Sequence, residues 1–324
     1  MPYETCPVRS PRFKDGMNFK ELVEGHPEIL RDRQALSFSE ERRPADIAVA
    51  FARSGVVMLK GALAPETLAS CAEAFRRFVH SSEAGQNVSR TGERLRTGEG
   101  ESHGGSWHSP WAVRCRDSFP AAAIISALFR SWTWDVVEEI CGSSHIAIVL
   151  KFCTARHGVD RPLGVGAHQD AKVVAPDLPF SMWIPLHKIV PPLNSGLGFV
   201  VPDPGRVLPT LPHNDVGPDY VLEDPARLWI PTYAAGDLTI HSRFAPHFTT
   251  GYGTLSDRFS LEIRATPRSA LPAEHEDPVI CVSRRNGIPT IVEARSSAGS
   301  AAQGFLDGAE LGRAASKDLR KVRI

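Results

Sequence analysis

The period of the apolar positions changes along the chain, and that change divides it. Gly55-Val56-Val57-Met58-Leu59-Lys60-Gly61 is a short apolar run bounded by glycines and predicts a strand. Pro65 then opens a segment in which Leu68, Cys71, Ala72, Phe75 and Val79 recur at three- and four-residue intervals, the apolar face of a helix. Residues 81–109 carry Gly, Ser, Arg and Glu with almost no aliphatics, which predicts a long loop, either disordered or a functional lid. A second helical stretch is expected over residues 121–140.

From His145 onward the texture becomes short strand-like runs separated by Pro and Gly: residues 146–153, 180–186, 197–201, 236–241 and 259–264. Helices followed by regularly spaced short strands predict a mainly β fold with flanking helices, a sandwich or barrel. Past Pro267, two further runs at 279–283 and 288–292 flank Arg285-Asn286-Gly287, a hairpin turn signal. The expected organisation is an N-terminal extension over 1–45 and a core domain over 46–267 with the lid-like loop 81–109. A C-terminal extension over 268–324 would add a hairpin, as a sheet edge or a homo-oligomer contact.

Composition narrows the partners. The 324 residues hold 37 basic and 37 acidic side chains, so no net field favours nucleic acid or an acidic membrane, and a small-molecule substrate is the expected partner. The six cysteines form no Cys-x-x-Cys pair, which argues against a zinc ribbon or a disulfide scaffold and for a reducing, cytoplasmic setting. The N-terminus lacks an apolar signal core and no run is long enough to span a bilayer, so a soluble protein is expected.

Non-haem Fe(II) oxygenases hold the metal with two histidines and one carboxylate on one face, leaving positions open for a co-substrate and O2. A His-x-Asp pair followed by a distant His is the corresponding sequence pattern. Three triplets compete: His168-Gln169-Asp170, His213-Asn214-Asp215 and His275-Glu276-Asp277. His275 has no histidine after it, and His213 sits among prolines and glycines with no strand-like run beside it. His168 follows a predicted strand, and residues two apart at a strand end can both reach one ion. His241 and His247 compete for the remaining ligand position. Arg258, eleven residues past His247 in a predicted strand, favours His247, because a guanidinium there could pair with the far carboxylate of a dicarboxylate co-substrate. His241 is then a core histidine or one that supports the ligands.

Taken together these residues resemble the phytanoyl-CoA dioxygenase family of Fe(II)- and 2-oxoglutarate-dependent oxygenases over roughly residues 51–264. Phe51-Ala52-Arg53-Ser54-Gly55-Val56-Val57 followed by Leu63-Ala64-Pro65-Glu66 is similar to the family's opening. His168-Gln169-Asp170, Trp183-Ile184-Pro185-Leu186, Asn194-Ser195-Gly196, Gly236-Asp237-Leu238, His247 and Arg258 follow in the family's order. The chain departs from it at Asp203-Pro204-Gly205-Arg206, where Gly-Ser-His is usual, at Phe248-Thr249 in place of Gly-Ser, and at Gly251-Tyr252-Gly253-Thr254.

The resemblance implies a double-stranded β-helix (jelly-roll, cupin-like) core, with Fe(II) on His168, Asp170 and His247. It also implies 2-oxoglutarate held by Arg258 with help from the Thr249 hydroxyl, and O2 as the second co-substrate. Hydroxylation of a C–H bond of a small metabolite is the implied reaction, with desaturation, epoxidation and ring formation open. Related halogenases leave the carboxylate position empty, and Asp170 fills it here. Trp107, His108 and Trp183 are candidate pocket residues, and Lys151 a weaker candidate for the co-substrate. A metal-binding barrel of the same kind without catalysis, acting as a ligand sensor or partner protein, is the alternative expectation, and a metal-dependent hydrolase with zinc affinity a third.

Overall fold

A computed structural model of the protein describes residues 19–79, 105–108, 127–149, 154–158, 167–172, 178–191, 193–194, 196–211, 216–217, 220–221, 223–250, 258–271 and 279–295. Among the described residues four α-helices lie before the main run of strands: α1 (Phe19–Gly25), α2 (Pro44–Ser54), α3 (Pro65–Val79) and α4 (Thr133–Cys141). The strands are β1 (Ser37–Phe38), β2 (Val56–Leu59), β3 (Gly105–His108), β4 (His145–Val149), β5 (Thr154–Gly158), β6 (Phe180–Pro185), β7 (Leu197–Val200), β8 (Leu228–Trp229), β9 (Leu238–Ser242), β10 (His247–Thr249), β11 (Arg258–Pro267), β12 (Val279–Arg285) and β13 (Ile288–Arg295).

Among the described residues the strands form two sheets. The larger runs β1-β2-β9-β6-β11-β4-β12-β13, with β5 paired to β11 and β3 to β5; the smaller is β10-β7-β8. Alternation explains why the large sheet is buried on both sides. Val57, Leu59, Met182, Ile184, Ile240, Ile263, Ile148 and Ile280 point one way and pack with Ile47 of α2, Leu68 of α3 and Trp134 and Val137 of α4. Val56, Met58 and Trp183 point the other way and pack against Leu197, Phe199 and Trp229 of the small sheet. The two sheets therefore face each other, with helices backing the outer side of the larger one.

Two turns set the register. Gly236 has φ 103° and its α-carbon lies so close to the Leu63 carbonyl that a Cβ would approach within 2.3 Å, so only glycine fits. Asp237 beside it accepts from Gly61 N–H (2.9 Å) and Ala234 N–H (2.8 Å), which aims β9 at the sheet centre. At the other end Asn286 (φ 52°) and Gly287 (φ 76°) turn β12 into β13, and the hairpin joins β4 at the sheet's edge.

The last residues of the predicted loop 81–109 depart from expectation. Gly105–His108 is strand β3, in register with β5, because backbone pairing to an existing edge outweighs the polar composition there. The rest of that loop, Lys151, His213, His275 and the tail from residue 296 lie outside the described residues. α1, α2 and the short strands β1, β8 and β10 were not expected, being too short or too mixed in polarity to stand out. Among the described residues no helix is long and apolar enough to cross a membrane.

Candidate metal centre

The site begins with a backbone contact between the sheets' ends. His168 and His247 exchange two backbone hydrogen bonds of 3.0 Å, an isolated antiparallel bridge, and their rings are tilted by 52° with centroids 4.3 Å apart. After that single bridge the chain turns at once into a 3-10 turn, Asp170–Lys172. The His-x-Asp pair thus sits on a bridge followed by a turn and not on a regular strand, a refinement of the sequence expectation.

Gln169, between the two, is the clamp that fixes this turn. Its Nε2 donates to Arg206 O (2.9 Å) and Phe244 O (2.6 Å), and its Oε1 accepts from Leu208 N–H (2.7 Å). A fully buried amide with donors and acceptor satisfied ties three segments together.

Asp170 lands on a polar row of the large sheet. Ser181 on β6 is in register with His241 on β9 and with Arg264 on β11, so three polar side chains line up on the inner face. Ser181 Oγ donates to Asp170 Oδ2 (2.6 Å), and Arg264 reaches the same oxygen through Nη2 (3.1 Å) and Nε (3.4 Å). Burial alone would raise the Asp170 carboxyl. The Arg264 guanidinium, with His247, His241 and His168 behind it, outweighs burial and holds the group well below the usual carboxylate range, so it is ionised.

Ligand atoms of His168, Asp170 and His247 all lie within 4.8 Å of one another. His247 Nδ1 is 3.0 Å from Ala245 O, and since a carbonyl only accepts, Nδ1 carries the proton. Its Nε2 lone pair is left facing Asp170 Oδ1 at 4.0 Å. Two imidazoles and an ionised carboxylate converging from one side are a donor set that suits Fe(II) with open positions.

The histidine that lost the sequence competition is also here. His241 is fully buried, its Nε2 lies 3.9 Å from Asp170 Oδ2, its ring is 4.5 Å from that of His247, and among the described residues neither ring nitrogen has a hydrogen-bond partner. With Asp170 and Glu262 it forms a second group of donor atoms. Burial pushes its imidazole well below the usual range, His247 adds to this and Asp170 opposes it.

That depression has a pH consequence with a definite sign. Below about pH 6.5 the unfolded chain takes up a proton at His241 that the folded chain refuses. The contribution is therefore complete above about pH 6.5 and is lost as pH falls toward the depressed value, at about 1.4 kcal/mol per pH unit. Urea unfolding of the chelator-treated protein between pH 5 and 7.5 is expected to show His241→Leu with a slope flatter by about that amount. A variant slope equal to that of the parent would contradict this account.

Of the other predicted residues, Thr249 lies buried in β10, two positions from His247 and paired with Leu197. Arg258 opens β11, its backbone in register with Gly158. Trp183 is a wall between the sheets, buried edge-on to Tyr233 with ring centroids 5.0 Å apart, and its neighbours are core residues. The backbones of Trp107 and His108 run along β5 opposite Arg156 and Ala155. Cys141 packs against the core, and burial pushes its thiol up to about 12.

Sequence reasoning missed Ser181, Glu262 and Arg264. A signal for them exists: Ser181, Thr239, His241, Ser260, Glu262 and Arg264 occupy alternate positions of strands whose other positions, Ser242 apart, are apolar. In a strand buried on both faces, a polar set of period two marks a wet or charged interior.

Solved structures share the fold of the chain. The epimerase SnoN, solved with Fe3+, alpha ketoglutarate and nogalamycin RO, aligns with 76% of this chain and 87% of its own at a TM-score of 0.52 and 17% identity. The apo form of ThoJ, a non-heme monooxygenase, aligns with 85% of this chain and 99% of its own at 0.54 and 15% identity. EctD from S. alaskensis, solved with 2-oxoglutarate and 5-hydroxyectoine, aligns with 83% and 91% at 0.50 and 15% identity. The chain has the fold of these enzymes. The expected jelly-roll core with flanking helices is thereby borne out. No family model matches the chain, and no curated protein sequence does.

Proposed function

We propose that the chain is an Fe(II)- and 2-oxoglutarate-dependent oxygenase of the phytanoyl-CoA dioxygenase type. It hydroxylates an unactivated C–H bond of a small organic molecule, with succinate and CO2 as accompanying products. The observation that carries this reading is the convergence of His168, Asp170 and His247 donor atoms between two sheets, on a fold shared with enzymes solved with iron or 2-oxoglutarate.

When bound, Fe(II) supplies O2 activation, with 2-oxoglutarate and the substrate C–H bond each giving two electrons and each receiving one oxygen atom. The chain's residues do the positioning. His168, Asp170 and His247 would hold the metal through their converging donor atoms and leave room for the co-substrates. Arg258 would take the far carboxylate of 2-oxoglutarate, aided by Thr249. Trp183 and Phe199, packed between the sheets, keep water from that side of the centre. Trp107 and His108, whose backbones pair with β5, are the residues proposed to contact substrate. An ionised Asp170 fills the carboxylate position, which disfavours halogenation.

Screening a metabolite panel for substrate-stimulated succinate release tests the reaction. The expected result is release with at least one compound, accompanied by a product heavier by one oxygen atom. Fe(II) and 2-oxoglutarate binding with no stimulated turnover across the panel and a compound that binds without being changed would instead favour a ligand sensor.

A further inference from the structure

We propose that Arg264 and Ser181 are positioning residues that saturate one oxygen of Asp170, so that this carboxylate binds the metal through Oδ1 alone and the pocket takes one cation, not two. The proposal rests on the metal reading above. The two oxygens of Asp170 have different surroundings. Oδ2 receives the Ser181 hydroxyl at 2.6 Å and Arg264 Nη2 and Nε at 3.1 and 3.4 Å. Oδ1 is touched by Nη2 at 3.2 Å and otherwise faces His247 Nε2 at 4.0 Å. The oxygen turned toward the ligand histidines is thus the less occupied one.

The same arginine also bonds Glu262 Oε1 through Nη2 at 2.8 Å. Asp170, Glu262 and His241 would on donor type alone form a second cation site beside the first, sharing Asp170. The guanidinium lies against both of its carboxylates, at 3.1 and 2.8 Å, and is itself nearly buried. One fixed positive charge between two carboxylates does what a second cation would do, and an added cation there would meet its repulsion. A fork is needed for this, since one group has to reach two carboxylates in defined directions.

The consequence is coordination number. A carboxylate free to chelate with both oxygens would occupy a position that the keto acid needs. Held by Oδ2, Asp170 contributes one atom, and three protein atoms leave three positions open.

The test uses the full chain with Co(II) and with anaerobic Fe(II) plus 2-oxoglutarate. Arg264→Lys keeps the charge but loses the fork, and Ser181→Ala removes the other donor with little change of volume. Both are compared with the parent for Co(II) affinity, for metal stoichiometry and for the visible charge-transfer band of the Fe(II) complex, with thermal melts as a folding control. The parent is expected to bind one equivalent. Either folded variant is expected to lose about tenfold in Co(II) affinity and to shift or weaken the band. Wild-type affinity and band in both variants would overturn the proposal, as would two equivalents in the parent. If Arg264→Lys fails to fold, Ser181→Ala decides. A parent that binds no metal at all sinks the metal reading itself, which is a different result from a parent that binds and variants that do not differ.

Discussion

His247→Ala is expected to lower divalent-cation affinity by roughly a hundredfold, while His241→Leu leaves it within about threefold. Both rings lie within 4 Å of Asp170, so proximity alone does not separate them. Their partners do. Ala245 O fixes the tautomer of His247 and turns its Nε2 toward Asp170 Oδ1, and His168 is bridged to its backbone. His241 faces Asp170 Oδ2, the oxygen already taken by Ser181 and Arg264. Structural zinc sites gain roughly 10–16 kcal/mol from four ligands, so about 3 kcal/mol per ligand is a fair scale, which is the hundredfold expected. Co(II) titration followed by its d–d absorption checks this. Equal losses in the two variants would mean that the metal uses His241 as well.

Arg258→Met is expected to raise the 2-oxoglutarate dissociation constant by roughly 10- to 100-fold with little change in metal affinity. A bidentate guanidinium–carboxylate pair in a closed site contributes about 1.5–3 kcal/mol, and methionine preserves much of the side chain's length without the charge. Equilibrium dialysis of the keto acid against the metal-loaded protein, set beside metal titration of the same variant, separates the two quantities. A loss of metal affinity without a loss of co-substrate affinity would move Arg258 from the co-substrate to the fold.

Much of the strand layout was legible because buried strands write themselves as short apolar runs between turn residues. Runs at 180–186, 197–201, 236–241, 259–264, 279–283 and 288–292 correspond to β6, β7, β9, β11, β12 and β13 within a few residues. The two-residue strands β1 and β8 carry no period to read, and β10 is a single turn of sequence around His247 that looks like a loop. The His168, Asp170 and His247 set was reached by pattern and by the position of Arg258, and the geometry now brings their donors together without using that arginine. Arg264 was invisible for a physical reason. Its role depends on register across three strands, Arg264 to Ser181 to His241, and no local window of sequence contains that register. The alternate polar positions of β11 were the clue, and a hydrophobic scan reads them as interruptions.

His168, Asp170 and His247 are proposed to hold Fe(II) with positions left open for 2-oxoglutarate. Anaerobic titration of the metal-free chain with Fe(II) and then with 2-oxoglutarate tests it most directly. The expected result is a visible charge-transfer band that appears only when both are present, saturates at one equivalent of each, and is missing in Asp170→Ala. A chain that binds neither, or a band that persists unchanged in Asp170→Ala, would contradict the account.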